Sequence, residues 1–209
     1  MRNIHVVGLT GQTGAGKSSV SKIMRSQGLA VIDCDEVSRE VVDKEKRCLA
    51  DMALEFSIVI LNMDGTLNRK KLASIVFSDK QKLSKLNELI FPYIKEYVRN
   101  KIDALEKAGE RVVVLDAPTL FESGMESECD FVVSVIAPEV QRQNRIVIRD
   151  HLTDTEARNR MASQHNDEFY TSRSQLVIVN DKDEHDLHLK TLELVGALQR
   201  VVREQDEEE

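Results

Sequence analysis

No stretch of this 209-residue chain approaches the apolar length of a membrane span. Its start runs directly into a β-branched segment instead of a charged and apolar leader, so no cleaved signal is expected. Cysteine is scarce and badly spaced for cross-linking. Cys34, Cys48 and Cys129 are odd in number, far apart and make no C-x-x-C, which points to reduced thiols in a cytoplasmic protein. The five histidines (His5, His151, His165, His185, His188) form no H-x-x-x-H and no Cys/His cluster, so a protein-held zinc is not expected. A basic stripe is missing too. The net charge is −7, part of it in the tail Glu204 to Glu209, which argues against a nucleic-acid partner. There is no internal repeat. What is present, 41% hydrophobic and 31% charged residues, describes one globular domain, alone or with an insertion.

The organising stretch is Gly11-Gln12-Thr13-Gly14-Ala15-Gly16-Lys17-Ser18, which satisfies the phosphate-loop pattern G-x-x-x-x-G-K-[ST]. Its context is right. Ile4 to Val7 reads as a buried parallel strand, and Val20, Ile23 and Met24 recur at helical spacing until Gly28 stops the helix. Backbone N–H groups of such a loop curl around phosphate oxygens, and the helix dipole adds positive potential. The nucleotide-binding set is therefore residues 11 to 18 with Ser19; Lys17 is expected to reach the β- and γ-phosphates and Ser18 to ligate Mg²⁺. Without nucleotide, Lys17 is expected to be exposed.

Further along, Leu29 to Ile32 is a second apolar run ending in Asp33-Cys34-Asp35, at the end of a strand where open α/β sheets bind ligands. Asp33 is placed to act as a base, and Asp35 is the better expected helix cap. From Glu36 to about Glu110 the pattern is helical, with no clear strand pair. Leu49, Met52, Ala53 and Phe56 follow i, i+3, i+4, i+7, and Pro92 is expected to interrupt a helix or open a new one. The sheet resumes at Val112 to Asp116, where Asp116 is expected to face Mg²⁺, and at Phe131 to Ile136. Pro138 suits the first turn of the next helix, on which Arg142, Arg145 and Arg149 share a face. Thr153 to Glu156 is a capping box opening another helix, with Arg158 and Arg160. A P-loop enzyme needs such cations to neutralise a transferring phosphoryl group, and Arg145 is the first candidate. Leu176 to Val179 is the fifth strand, ending at Asn180, which is expected near the adenine. Leu187, Leu194, Val195, Leu198, Val201 and Val202 then face inward on a last helix that frays into the acidic tail.

The expected fold is α/β: a three-layer P-loop NTPase fold with a five-stranded parallel sheet, a helical substrate-binding insertion and an arginine-rich lid. Residues 1–35, 111–140 and 166–209 would form the nucleotide-binding core, 36–110 the acceptor domain and 141–165 the lid. Asn180-Asp181-Lys182-Asp183 misplaces the lysine of the guanine-reading N-K-x-D, which disfavours a GTPase. The residues by themselves leave open a small-molecule kinase, acting on a nucleoside or small alcohol, and a non-catalytic nucleotide-binding regulator.

Several segments together resemble the dephospho-CoA kinase family: the loop from Gly8 to Ser18; Val31-Ile32-Asp33-Cys34-Asp35; Asp64-Gly65-Thr66-Leu67-Asn68-Arg69; Leu86-Asn87; Pro118-x-Leu120-Phe121-Glu122; Gln141-x-x-x-Arg145-x-x-x-Arg149; Arg160-x-x-x-Gln164; and Val177-Ile178-x-Asn180. The chain has Phe91-Pro92 where the family usually has His-Pro. The resemblance implies ATP-dependent phosphorylation of the 3′-hydroxyl of dephospho-CoA, with Mg²⁺, in the cytoplasm, by a monomer or small homo-oligomer. It places Lys17, Asp33 and Arg145 in catalysis, Arg149 and Asn180 with the nucleotide, and Ser18 and Asp116 at the metal.

Overall fold

The computed structural model describes residues 3–208. Five strands, β1 (His5–Gly11), β2 (Ala30–Asp33), β3 (Val112–Asp116), β4 (Phe131–Ile136) and β5 (Leu176–Val179), form one sheet in the order β2-β3-β1-β4-β5. β1 pairs in parallel with β3 and with β4, and β4 in parallel with β5. The helices are α1 (Lys17–Ser26), α2 (Cys34–Lys44), α3 (Lys46–Phe56), α4 (Arg69–Val76), α5 (Lys80–Lys107), α6 (Glu139–Asp150), α7 (Asp154–Ala162), α8 (Asp167–Thr171) and α9 (Glu184–Glu208). Among the described residues, no helix is long and apolar enough to cross a membrane.

The chain divides into two units: residues 1–32 with 105–209, and residues 33–104. The first contains the sheet with α1 and α6 to α9. Buried on both faces, its central strands are continuous apolar runs, as parallel strands between helices must be. Val7 and Leu9 of β1, Val114 of β3 and Val133 and Val135 of β4 pack with Val20 and Met24 of α1 and Leu194 and Val195 of α9. Each such side chain contributes about 1.5–3 kcal/mol on burial. β1 is longer than the Ile4–Val7 expected, because the Gly8–Gly11 backbone pairs with Val132–Val135. α9 continues to Glu208 where fraying was expected, and Val201 is exposed, 47%, not inward. The last residue of the acidic tail, Glu209, lies outside the described residues.

The second unit is helical, apart from one antiparallel bridge between Leu61 and Leu67. α5 runs through Pro92 without a break, contrary to the expected interruption. An interior proline forgoes one backbone bond and crowds the preceding turn. Here Ile90, Ile94, Val98 and Ile102 bury one continuous stripe across it, and that burial outweighs the local cost.

In the same unit, Glu40 accepts from Lys44 at 2.5 Å and lies 2.8 Å from Lys101. The bond to Lys101, with that to Lys44, holds the Glu40 carboxyl down from its usual 4.5 to about 2. A depressed acid stabilises the folded state in full above its unfolded value, and the contribution is lost as pH falls through its folded value. The stability advantage of the native chain over Glu40→Gln should thus be constant at pH 5–7 and vanish between about pH 4.5 and 2. Denaturant midpoints of both proteins across this range check it; the lysines are well exposed, so the advantage at neutral pH is small, on the order of 1 kcal/mol or less.

Candidate active site

The loop from Gly11 to Ser18 joins the C-terminal end of β1 to α1, with Gly16 as N-cap. No side chain caps this helix, and none of its first turn is acidic. Among the described residues, the N–H groups of Gly14, Gly16, Lys17 and Ser18 make no hydrogen bond to protein. That is a cluster of donors at the positive end of a helix dipole, a site for phosphate oxygens. Ser18 and Ser19 are exposed in the same turn.

Three separate elements hold the loop in shape. From the end of β5, Asn180, 4% exposed, donates its Nδ2 to the Ala15 carbonyl at 2.7 Å. From α6, Arg145 donates Nη1 to the Gly14 carbonyl at 3.2 Å and Nη2 to Asn180 Oδ1 at 3.4 Å and Gln141 Oε1 at 3.1 Å. From the segment after α7, Gln164 Oε1 accepts the Thr13 N–H at 2.8 Å, while Gln12 Nε2 donates to the His165 carbonyl at 3.0 Å. The fit leaves no room for side chains at two glycines. A Cβ on Gly16, whose φ is +108°, would lie 2.4 Å from Asn180 Nδ2; one on Gly14, φ +76°, would lie 2.7 Å from the Arg142 carbonyl oxygen. The cradle is therefore held by the protein's own contacts, which is the condition for strong electrostatic stabilisation.

Lys17 is engaged by an acid. Its Nζ makes an ion pair with Asp116 Oδ1, the two side chains being 15% and 9% exposed. Asp116 closes β3 opposite Leu9 of β1, so the sheet register itself brings the acid beside the loop lysine. The exposed lysine expected from the motif is thereby corrected. Asp33 holds a second surprise. Its Oδ1 accepts the N–H groups of Asp35 at 2.9 Å and Glu36 at 3.0 Å, making Asp33 the N-cap of α2, the role expected of Asp35. The helix begins two residues earlier than the sequence suggests, at Cys34 instead of Glu36, so the cap moves back with it from Asp35 to Asp33.

The arginines that share a face by helical spacing have different surroundings. Arg142 is buried, Arg145 is engaged with the loop, and Arg149 forks both ways onto Asp150, its Nε and Nη2 each 2.8 Å from a carboxylate oxygen. Asp150 also takes Arg160 at 2.7 Å. Arg149 is thus not brought to the loop in this structure. Sequence reasoning missed one group altogether. His165 stacks on Phe169 at 3.6 Å between centroids, Phe121 meets Phe169 edge-on at 5.6 Å, and Tyr170 lies 5.3 Å from Phe169. His165 Nε2 is 3.7 Å from Glu122. In a chain only 4% aromatic, the adjacent pair Phe169-Tyr170 was the available signal.

A family model described as dephospho-CoA kinase matches residues 5–186. The dephospho-CoA kinase of Listeria innocua is 39% identical over 176 residues, spanning 84% of this chain and 88% of that one. A solved structure from Thermus thermophilus superposes with a TM-score of 0.78 at 28% identity, over 93% of this chain and 97% of that one. The dephospho-CoA kinase structure from Campylobacter jejuni, 24% identical over 98% of this chain and all of its own, has the same fold with a TM-score of 0.71. With a parallel sheet, a prebuilt phosphate loop and this breadth of likeness, the chain belongs to the dephospho-CoA kinase family.

Proposed function

We propose that this chain transfers the γ-phosphoryl group of ATP to the ribose 3′-hydroxyl of dephospho-CoA, giving CoA and ADP in the last step of coenzyme A biosynthesis. The observation that carries the reading is the loop of unengaged N–H donors with Lys17 and Asp116 beside it, in a chain that the family matches from residue 5 to residue 186. Phosphoryl transfer passes through a loose transition state, so the protein's work is positioning and neutralising charge. The N–H groups of Gly14, Gly16, Lys17 and Ser18 and the Lys17 ammonium take phosphate oxygens. To do so, Lys17 leaves Asp116. Arg145 adds positive charge at the Gly14 end of the loop while Asn180 keeps that loop in shape.

An exposed serine hydroxyl at Ser18 and the carboxylate of Asp116 suit Mg²⁺, a hard ion that binds oxygen, keeps several waters and takes its other ligands from phosphates. Held there, such an ion would supply positive charge to offset the negative charge that develops on the transferring phosphoryl group. Asp33 uses only Oδ1 for its cap; Oδ2 has no partner among the described residues and is assigned to the proton of the acceptor hydroxyl. The helical unit is assigned to the acceptor and residues 141–165 to a lid. The three cysteines, none of them in a disulfide, suit a reducing, cytoplasmic setting. A coupled assay of ADP release tests the whole reading: turnover is expected with ATP, Mg²⁺ and dephospho-CoA, and only background when dephospho-CoA is omitted or replaced by a nucleoside. Equal rates with and without dephospho-CoA would sink it.

A further inference from the structure

Of Arg142, Arg145, Arg149 and Arg160, all but one have side-chain oxygen partners among the described residues, and the exposed Arg158 needs none. Arg145 has the Gly14 carbonyl, Gln141 and Asn180; Arg149 and Arg160 have Asp150. Arg142 is 8% exposed, yet its Nε and Nη1 are buried without a hydrogen-bond partner, and its guanidinium makes no ion pair among the described residues. Its position is not remote. Arg142 lies in the second turn of α6, and its Cα would be 3.0 Å from a Cβ on Gly14, so the backbone here packs on the phosphate loop. The side chain reaches toward α8: burial and the charge of Glu122 push the Tyr170 phenol up to about 12, and the Arg142 charge opposes them. On the loop itself, Gln12 has its Oε1 buried and unpartnered while its Nε2 is held by the His165 carbonyl.

A buried cation without a counter-charge is costly, and natural proteins pair such groups or use them. Hydrogen-bond donors left over beside a phosphate loop point to the class of ligand. We propose that Arg142 is a phosphate-binding residue, whose guanidinium takes phosphate oxygens at the Gly14 side of the loop when substrate binds. It adds a cation that the loop motif does not specify, and its unpaired state in the free protein is the cost of holding it in place. The inference rests on reading this chain as a phosphotransferase. Two phosphate sources are open to it, the polyphosphate of ATP and the diphosphate bridge of the acceptor, and the chemistry is the same for both.

Arg142→Gln and Arg142→Lys in the full chain separate this from a packing role. Removing an unpaired buried charge should leave the melting temperature of the free protein unchanged or raise it by a few degrees, whereas removing a structural contact lowers it. Dissociation constants, measured without turnover, should weaken at least tenfold in Arg142→Gln for one phosphate ligand, with part of the loss recovered in Arg142→Lys. Loss toward ATP, ADP and inorganic tripolyphosphate assigns the contact to the nucleotide; loss toward dephospho-CoA alone assigns it to the acceptor. Unchanged constants for both ligands in a folded Arg142→Gln overturn the proposal, whatever its melting temperature. If that variant does not fold, the Arg142 Nε–H resonance of the native chain decides, assigned by its absence from Arg142→Lys. A shift on adding tripolyphosphate or dephospho-CoA supports the contact, and no shift with either overturns it. A native chain that binds tripolyphosphate but not dephospho-CoA would count against the acceptor assignment, and the nucleotide arm would still decide Arg142.

Discussion

Lys17→Met should lower kcat by on the order of 10³-fold or more, the scale on which a charge-stabilising group at a transferring phosphoryl matters. Its effect on stability is the more instructive part. The Lys17 ammonium sits on the Asp116 carboxylate, both largely out of solvent. Removing the lysine leaves that acid buried and unpaired at the end of β3, a penalty of about 1–3 kcal/mol for the stranded group. In a chain of this length each kcal/mol moves the melting temperature by roughly 2–4 °C. The single variant should therefore be both inactive and less stable. Adding Asp116→Asn removes the stranded charge, so the double variant should regain much of the lost stability and none of the activity. Circular dichroism melts and steady-state rates on the two proteins test this together. Turnover surviving in a folded Lys17→Met protein would take the loop out of the mechanism.

The Lys17–Asp116 pair also marks where reading the chain stops. The glycine loop, the strands Val112–Asp116, Phe131–Ile136 and Leu176–Val179, and the capping box at Thr153 depend on neighbours within a few residues, and each is where its local pattern puts it. The pair depends on β3 lying beside β1 in a register that sets Asp116 opposite Leu9, a long-range fact no local pattern contains. Pro92 is the converse case. A strong local breaker is overruled by apolar residues on both sides that bury together. The arginines of α6 make the same point at the site: spacing shows that residues 142, 145 and 149 share a face, but not that Gly14 and Asn180 occupy one, Asp150 another, and that Arg142 is left without a partner. Tertiary neighbours distinguish them, and only the assembled sheet supplies those.

Asp33→Asn should cut kcat by about 10²–10⁴, the usual worth of a positioned general base, while the melting temperature stays close to that of the native chain. The structure makes this substitution cleaner than alanine. Asp33 Oδ1 accepts from the N–H groups of both Asp35 and Glu36, so the residue starts α2 as well as carrying a carboxylate. Asparagine caps a helix about as well as aspartate and retains the accepting oxygen, but it has no basic charge with which to take a proton. Asp33→Ala removes both functions and should lose a further ~0.5–2 kcal/mol of stability with the cap. The affinity for ATP should be the same in all three proteins, since the group is assigned to the acceptor and not to the nucleotide. Asp35 is the internal control: it donates its backbone N–H to the cap, and that bond survives any change of its side chain. Asp35→Asn should therefore be near neutral in kcat. Melts, ATP titrations and initial rates on the set of variants separate the cap from the base. A full-rate Asp33→Asn would reduce Asp33 to a helix cap, and a larger loss of kcat in Asp35→Asn would move the base by two residues.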